Sequence, residues 1–401
     1  MQAAAETPES VDLAALVADP YTAYARLRDA GPVHRITTPD GLSAWVVTGY
    51  DDVRQLLADP RMSLSKRNAR PGGYRGLALP PALDANLLNL DPPDHTRLRS
   101  LVTKAFTARR IADLRDPIQR IADRLLDASI PRGHADLIAD YAAPLPIAVI
   151  CELLGIPETD RGDFRGWTDA LIAPDPARPS AAKEAVGNML RFLHQLIAHK
   201  RTRHADDLLS TLVEVRDGGD RLTEDELTSL VFLILSAGYE NVVHLIGNGT
   251  LALLEHPDQL RTLREKPERL EGAVEELARF DGPAPLAIRR FPVEDVTVGG
   301  VTIPAGETVL LSIASANHDP RRIPQPQRLD LERERSASGH LTFGQGIHYC
   351  LGAPLARLEV TIALDTLLRR LPHLALGVPR ERLRWRPTIR ARGLLALPVT
   401  F

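Results

Sequence analysis

From Thr223 to Glu255 the chain carries one long helical pattern whose middle is almost wholly apolar, ended by Pro257. Thr223-Glu-Asp-Glu226 fits a capping box, in which a threonine hydroxyl and a glutamate three residues on satisfy each other's backbone amides. A helix apolar all round belongs in the centre of a protein rather than on its surface. This segment therefore predicts a large, mainly helical fold built around it. A chain of 401 residues buries roughly three quarters of its unfolded surface, so a core of that size is available. No Pro/Gly/Ser-rich linker and no fixed-period repeat interrupts the chain, and a single domain spanning residues 1–401 is expected.

The remaining pattern adds small β elements to this helical frame. Leu42 to Thr48 is short and rich in β-formers, which predicts a strand. Asp51 to Leu57 reads as a short helix, and residues 62–90 as irregular, with breakers at Pro71-Gly72-Gly73 and Pro80-Pro81. Helices dominate from Asp94 to about Val213, broken near Pro131, Pro157 and the prolines from 174 to 179. Pro267 to Phe280 predicts a helix, Val296 to Ser312 hairpins, Leu355 to Leu371 a helix and Arg392 to Phe401 terminal strands. The fold class is mainly α with small β-sheets.

The formal net charge of −3 offers no basic excess to neutralise phosphates, which argues against a nucleic-acid partner. No run of about eighteen uninterrupted apolar residues appears, so no membrane span is expected. Met1 to Asp19 is acidic and lacks a signal-peptide pattern, and the expected location is cytoplasmic. Two cysteines are too few for a disulfide framework. Cys151 lies in an apolar helical pattern and reads as a packing residue.

Cys350 stands in a different setting, Phe343-Gly-Gln-Gly-Ile-His-Tyr-Cys-Leu-Gly352. Gly344 and Gly346 permit positive φ and close backbone approach to a flat ligand. The following Ala353-Pro354-Leu355 opens a helix. A cysteine at a helix N-terminus has a stabilised thiolate. One thiolate with no second cysteine or Cys/His cluster nearby does not make a structural zinc site, but it suits an axial ligand to haem iron.

The segment resembles the haem-binding signature of the cytochrome P-450 family, Phe-Gly-x-Gly-x-His-x-Cys-x-Gly, at every fixed position. With each residue type at a few per cent, such a match arises by chance on the order of one time in a million. The resemblance extends from Trp45 through Phe401 and implies haem b (iron protoporphyrin IX), seated between the long central helix and the cysteine loop, with Cys350 as the iron ligand. Phe343, Gly344, Gly346, His348 and Gly352 belong to the cofactor-binding loop. Glu276-Leu-Ala-Arg279 resembles the family's structural Glu-x-x-Arg pair, with Arg328 or Arg333 as its later arginine partner. Asp91-Pro-Pro-Asp-His-Thr-Arg-Leu-Arg99 resembles the helix at the haem edge. The resemblance makes His95, Arg99, Arg290 and His348 the propionate-binding donors, with Arg289 one position from Arg290.

Within the central helix, Ala237-Gly-Tyr-Glu-Asn241 resembles the family's oxygen-activating Ala/Gly-Gly-x-Asp/Glu-Thr. There Ala237 and Gly238 border the haem, the glycine leaving space above the iron in a distorted helix. Glu240 is the acid that relays protons, and Asn241 replaces the threonine whose hydroxyl assists proton delivery. An amide donates and accepts hydrogen bonds but is a poor proton donor, so a water held by Asn241 or a substrate hydroxyl is expected to take that part. His244 and Tyr239 read as packing or surface residues. The resemblance thus implies a haem-thiolate monooxygenase that hydroxylates or epoxidises a hydrophobic natural product, a macrolide or other polyketide, with O2 and electrons from a ferredoxin and its reductase. Lys104, Arg109, Arg110 and Arg357 are the candidate docking cations. The substrate is expected between residues 62–90, the turn from Trp167 to Pro179 and the central helix, against Leu87, Leu88, Leu233, Ala237, Leu286 and Ile288. Two other readings stand beside it: a peroxide-using or atypical haem-thiolate enzyme, motivated by Asn241, and a non-catalytic haem-binding auxiliary protein. A monomer is the default.

Overall fold

A computed structural model describes residues 13–38, 41–74, 79–157, 160, 166–167, 170, 179–217, 222–333 and 339–401. In chain order the described helices are α1 Leu13–Ala18, α2 Pro20–Ala30, α3 Tyr50–Ala58, α4 Pro81–Asp84, α5 Asp94–Ala105, α6 Ala108–Asp113, α7 Arg115–Ser129 and α8 Pro144–Leu154. They continue with α9 Pro179–Thr202, α10 Leu208–Asp217, α11 Glu224–Glu255, α12 Pro257–Glu265, α13 Leu270–Phe280, α14 Ile313–Ala316 and α15 Ala353–Arg370. The strands are β1 Val33–Thr37, β2 Ser43–Val47, β3 Met62–Ser63, β4 His134–Asp136, β5 Phe291–Pro292, β6 Val296–Val298, β7 Val301–Ile303, β8 Val309–Leu311, β9 Ala375–Leu376 and β10 Pro398–Thr400. Contacts divide the chain into two compact units, one of Met1–Leu77, Leu251–Cys350 and Arg384–Leu395, the other of Ala78–Thr250, Leu351–Leu383 and Ala396–Phe401.

The first unit is built on a three-stranded sheet in the order β1-β2-β8. Val47, Val309 and Leu311 are fully buried with Tyr50, Val53, Leu56 and Leu57 of α3, which gives α3 its amphipathic seat. The hairpin β6–β7 turns at Gly299-Gly300, both at positive φ, as a two-residue hairpin turn requires. The expected chain of hairpins through Ser312 stops there. β8 instead pairs in parallel with β2, Trp45 opposite Val309 and Val47 opposite Leu311. Alternation specifies which side chains go inward; it does not name the partner strand, and here burial of Val309 and Leu311 beside Val47 decides it.

In the second unit α7 packs against α8 and α15, and α10 against α5 and α8. The apolar stripes on these helices, including Ile118, Leu126, Leu145, Val149, Leu208, Leu212, Val360 and Leu364, are buried. A Tyr141 hydroxyl donating to the Ala363 carbonyl at 2.8 Å and Arg370 bonded to Asp123 and Asp127 tie α15 in place. The expected terminal strand shrinks to β10, which pairs with both β4 and β9. The residues just upstream belong to the first unit, where Leu394 makes one bridge to Trp385 and Arg392 bonds Asp281.

Helix α11 begins as the sequence predicts. The Thr223 amide donates to Glu226 Oε2 at 2.8 Å and the Glu226 amide to Thr223 Oγ1 at 3.2 Å. By length and composition it could cross a membrane, but more than half of its most apolar stretch is buried within the protein, as a core helix is.

Candidate active site

The cysteine loop is anchored in the first unit by a chain of buried polar groups that starts on α13. Glu276 and Arg279, one turn apart, form a two-point ion pair with distances of 2.7 and 2.8 Å. Arg333 adds its Nε to Glu276 at 3.3 Å, while Arg328 contributes only its carbonyl. Arg333 is therefore the arginine partner. Arg279 also donates to the Asn317 and Pro326 carbonyls at 3.0 and 2.9 Å. Asn317 in turn accepts from the Leu341 amide at 2.7 Å and donates to Thr342 Oγ1 at 2.9 Å. Thr342 Oγ1 donates back to the Ala278 carbonyl at 2.8 Å. Glu276 faces two guanidiniums, and the remaining Arg279 donors reach backbone carbonyls, so the buried charges are paired or hydrogen-bonded, which makes their burial tolerable.

Beyond Leu341 the loop closes on itself. The Gly344 amide donates to Leu341, Tyr349 to Gly346 and Cys350 to Phe343, the last at 2.8 Å. Gly346 lies at φ 75°, and a Cβ there would sit 3.0 Å from the Ala58 Cα at the end of α3. Its close approach is thus to α3, which adds a second reason for glycine to the expected approach to a flat ligand. Cys350 is exposed and forms no disulfide, whereas Cys151 is buried. Cys350 precedes Gly352, the N-cap of α15, by two residues.

Of the paired arginines, Arg290 is buried, while the Arg289 guanidinium stacks 4.9 Å from the Tyr74 ring centroid. His348 is half-buried, and Ile288 is 40% exposed with Leu286 half-buried.

The second unit carries the other nominated groups. On α5 His95 is buried and Arg99 half-buried, one turn apart. Between them Arg97 pairs with Glu226, the capping-box glutamate of α11. Leu87 is buried and Leu88 half-buried in a turn held by Asn86, whose Oδ1 accepts from the Leu88 amide and whose Nδ2 reaches Ser229 of α11. The stretch from Trp167 to Pro179 lies largely outside the described residues.

Along α11 the accessible side chains in the middle are Ala237 and Asn241, with Leu233 half-buried one turn earlier. The three share one face at four-residue spacing. The helix is α throughout this stretch, without the expected distortion. Gly238 faces α8, where a Cβ would lie 2.7 Å from Ile150 Cδ1. Its missing side chain makes room for a neighbouring helix, and the open face belongs to Ala237 and Asn241. Asn241 Nδ2 donates to the Ala237 carbonyl at 3.4 Å. Glu240 is one quarter exposed, and its Oε1 lies 3.3 Å from Nε2 of the buried His244. The sequence reading missed this contact; the i, i+4 spacing of the two residues was its signal.

Among the described residues no group of three His, Cys, Asp or Glu side chains could hold a bare metal ion. The first unit carries one accessible thiol on a pinned loop together with Arg290 and His348; the second carries His95 and Arg99 on α5 and an accessible face on α11. Thiol, imidazole and guanidinium are the groups that suit an iron carried in a macrocycle with two carboxylates.

The comparisons agree. Residues 268–378 match the family model described as Cytochrome P450. The cytochrome P450 monooxygenase PikC of Streptomyces venezuelae is 50% identical over 405 residues, covering 99% of this chain and 96% of that one. The 6-deoxyerythronolide B hydroxylase of Saccharopolyspora erythraea is 43% identical, covering 95% and 96%. The structure of the myxobacterial cytochrome P450 CYP267B1 in complex with myristic acid superposes with a TM-score of 0.92 at 43% identity, covering 98% of each chain. The chain belongs to the cytochrome P-450 family. Within it, the chain is a haem-dependent monooxygenase of the kind found among bacterial polyketide-tailoring enzymes.

Proposed function

We propose that this enzyme hydroxylates or epoxidises a hydrophobic polyketide, most simply a macrolactone, in the bacterial cytoplasm as a monomer. The observation that carries the reading is the face Leu233–Ala237–Asn241, which holds the two exposed residues in the middle of the largely buried α11. An apolar face ending in a single amide seats a large apolar ligand and orients one polar group on it. Leu87 and Leu88 on the second unit and Leu286 and Ile288 on the first are the further candidate apolar contacts. The similarity to a 6-deoxyerythronolide B hydroxylase supports the class.

Haem b is the group these residues would hold, in one functional domain spanning the chain. Cys350 would be its iron ligand within Phe343, Gly344, Gly346 and Gly352, and His95, Arg99, Arg290 and His348 would bond its propionates. When bound, it uses O2, two electrons and two protons to insert one oxygen atom into a C–H or C=C bond, the other leaving as water. Glu240, reaching solvent with a quarter of its side chain, brings the protons inward. Asn241, whose Nδ2 rests against the Ala237 carbonyl, has its Oδ1 to orient a water or a substrate hydroxyl. Electrons would come from a ferredoxin and its reductase. Lys104 and Arg109 are exposed on the second unit for that contact, with Arg357 half-buried, whereas Arg110 is engaged by Asp206 and Thr211.

The test is an optical titration of the ferric protein with macrolactones, terpenoids, cyclic peptides and fatty acids. A low-to-high-spin shift with macrolactones supports the substrate class. A shift with fatty acids alone overturns it. The amide at position 241 also favours a second reading, a peroxide-driven enzyme; turnover with peroxide but none with ferredoxin and NAD(P)H would select it.

A further inference from the structure

His244 is a polar residue in an apolar stretch of α11, and its side chain is 1% exposed. Burying an imidazole without a task costs free energy. Its neighbours define the task. His244 follows Glu240 by four residues and Asn241 by three, so it stands one helical turn behind both. Nε2 lies 3.3 Å from Glu240 Oε1. The other ring nitrogen, Nδ1, is buried with no hydrogen-bond partner among the described residues.

That asymmetry selects which ring nitrogen carries the proton. An N–H at Nδ1 would be buried with nothing among the described residues to accept it, whereas an N–H at Nε2 meets a carboxylate oxygen. The neutral ring with its proton on Nε2 leaves only a bare acceptor at Nδ1 and donates to Glu240. The carboxyl then has one oxygen bonded from inside the helix bundle, while a quarter of the side chain stays accessible.

We infer that His244 is the positioning residue for Glu240, holding the carboxyl by an Nε2–H···Oε1 bond so that it exchanges protons in one fixed orientation. No proton leaves His244 in the process. The inference rests on the reading of Glu240 as the proton-relay acid and assigns the residue that aims it.

The experiment compares holoenzymes carrying His244→Leu, His244→Gln, Glu240→Gln and His244→Leu with Glu240→Gln. The first readout is independent of turnover. In protein labelled with 15N in its histidines, the signal lost in His244→Gln identifies this ring. Its shifts should report protonated Nε2 and bare Nδ1, and should change in Glu240→Gln. The second readout is product formed per NAD(P)H, with a macrolactone as probe and a surrogate ferredoxin and reductase. Coupling should fall roughly tenfold in His244→Leu, less than the roughly 10²–10⁴-fold a positioned acid contributes in full because the carboxyl itself remains, and recover in His244→Gln, which restores an N–H donor. The double variant should be no worse than Glu240→Gln alone. An unchanged thiolate spectrum and an unchanged probe-induced spin shift show that His244→Leu is folded. Coupling lost in Glu240→Gln but retained in His244→Leu overturns the role of His244. Coupling retained in both overturns the relay reading of Glu240 and this inference with it. A ring protonated on Nδ1 alone overturns the proposed bond.

Discussion

His318 stacks 4.2 Å from the Tyr21 ring and 6.2 Å from Phe280, with Nδ1 donating to the Ala314 carbonyl at 3.1 Å. Burial, helped by the charge of Arg279, pushes its pKa down to about 3. The unfolded chain protonates it near pH 6.5 and the fold refuses that proton. This contribution to stability is complete above about pH 6.5 and is lost as pH falls below it, by up to about 1.4 kcal/mol per pH unit. His318→Phe keeps an aromatic ring in place and should flatten the fall of Tm between about pH 6.5 and 5; an equally steep fall would contradict the assignment. At Asn241 the test is chemical. Asn241→Thr should change product yield per NAD(P)H, because a hydroxyl replaces an amide on the open face of α11, and an unchanged yield would deny the amide any special part. The sequence marked Asn241 because a motif position was filled by the wrong chemistry. It did not mark His318, because an isolated histidine carries no sign of what will pack over it, and for His244 the only sign was its i, i+4 spacing from Glu240.

Helices α13 and α15 each bury a carboxylate, by different means. In α13 the Glu276–Arg279 pair is buried and completed by Arg333. Arg279→Ala would strip the carboxylate of its two-point partner and release Asn317 from the loop support. A broken buried pair costs about 3–5 kcal/mol, so the variant should lose that much in denaturant unfolding and bind haem poorly, whereas a loss below about 1 kcal/mol would make the network ornamental. In α15 Glu359 is buried, and burial holds its pKa well above the usual carboxylate value. The fold therefore favours the protonated form, and stability is greatest below about pH 4.5 and declines as pH rises above it. Glu359→Gln should raise Tm near neutral pH, with the gain shrinking toward pH 4.5; a loss at neutral pH would show that the ionised group is used. Helix positions and the Glu-x-x-Arg pair were legible because they are local in sequence. The partner of β8 and the choice of Arg333 over Arg328 were not, since both depend on contacts between distant segments.

At the level of the whole molecule, sequence pattern conveyed the mainly helical frame with its small sheets, and a solved structure covering nearly the entire chain agrees with that fold. The roles of Gly238 and Gly346 were only partly legible. A glycine reads the same whether a ligand or a neighbouring helix needs the space, and here Ile150 and Ala58 claim it. The account as a whole depends on Cys350 supplying the iron's thiolate. The decisive measurement is the absorption spectrum of the dithionite-reduced, CO-bound protein for the wild type, Cys350→His and Cys151→Ser. The account predicts the strongly red-shifted Soret band of thiolate-ligated haem in the wild type and Cys151→Ser, and its replacement by the shorter-wavelength band of imidazole-ligated haem in Cys350→His. A red-shifted band that survives in Cys350→His, or disappears in Cys151→Ser, would contradict it.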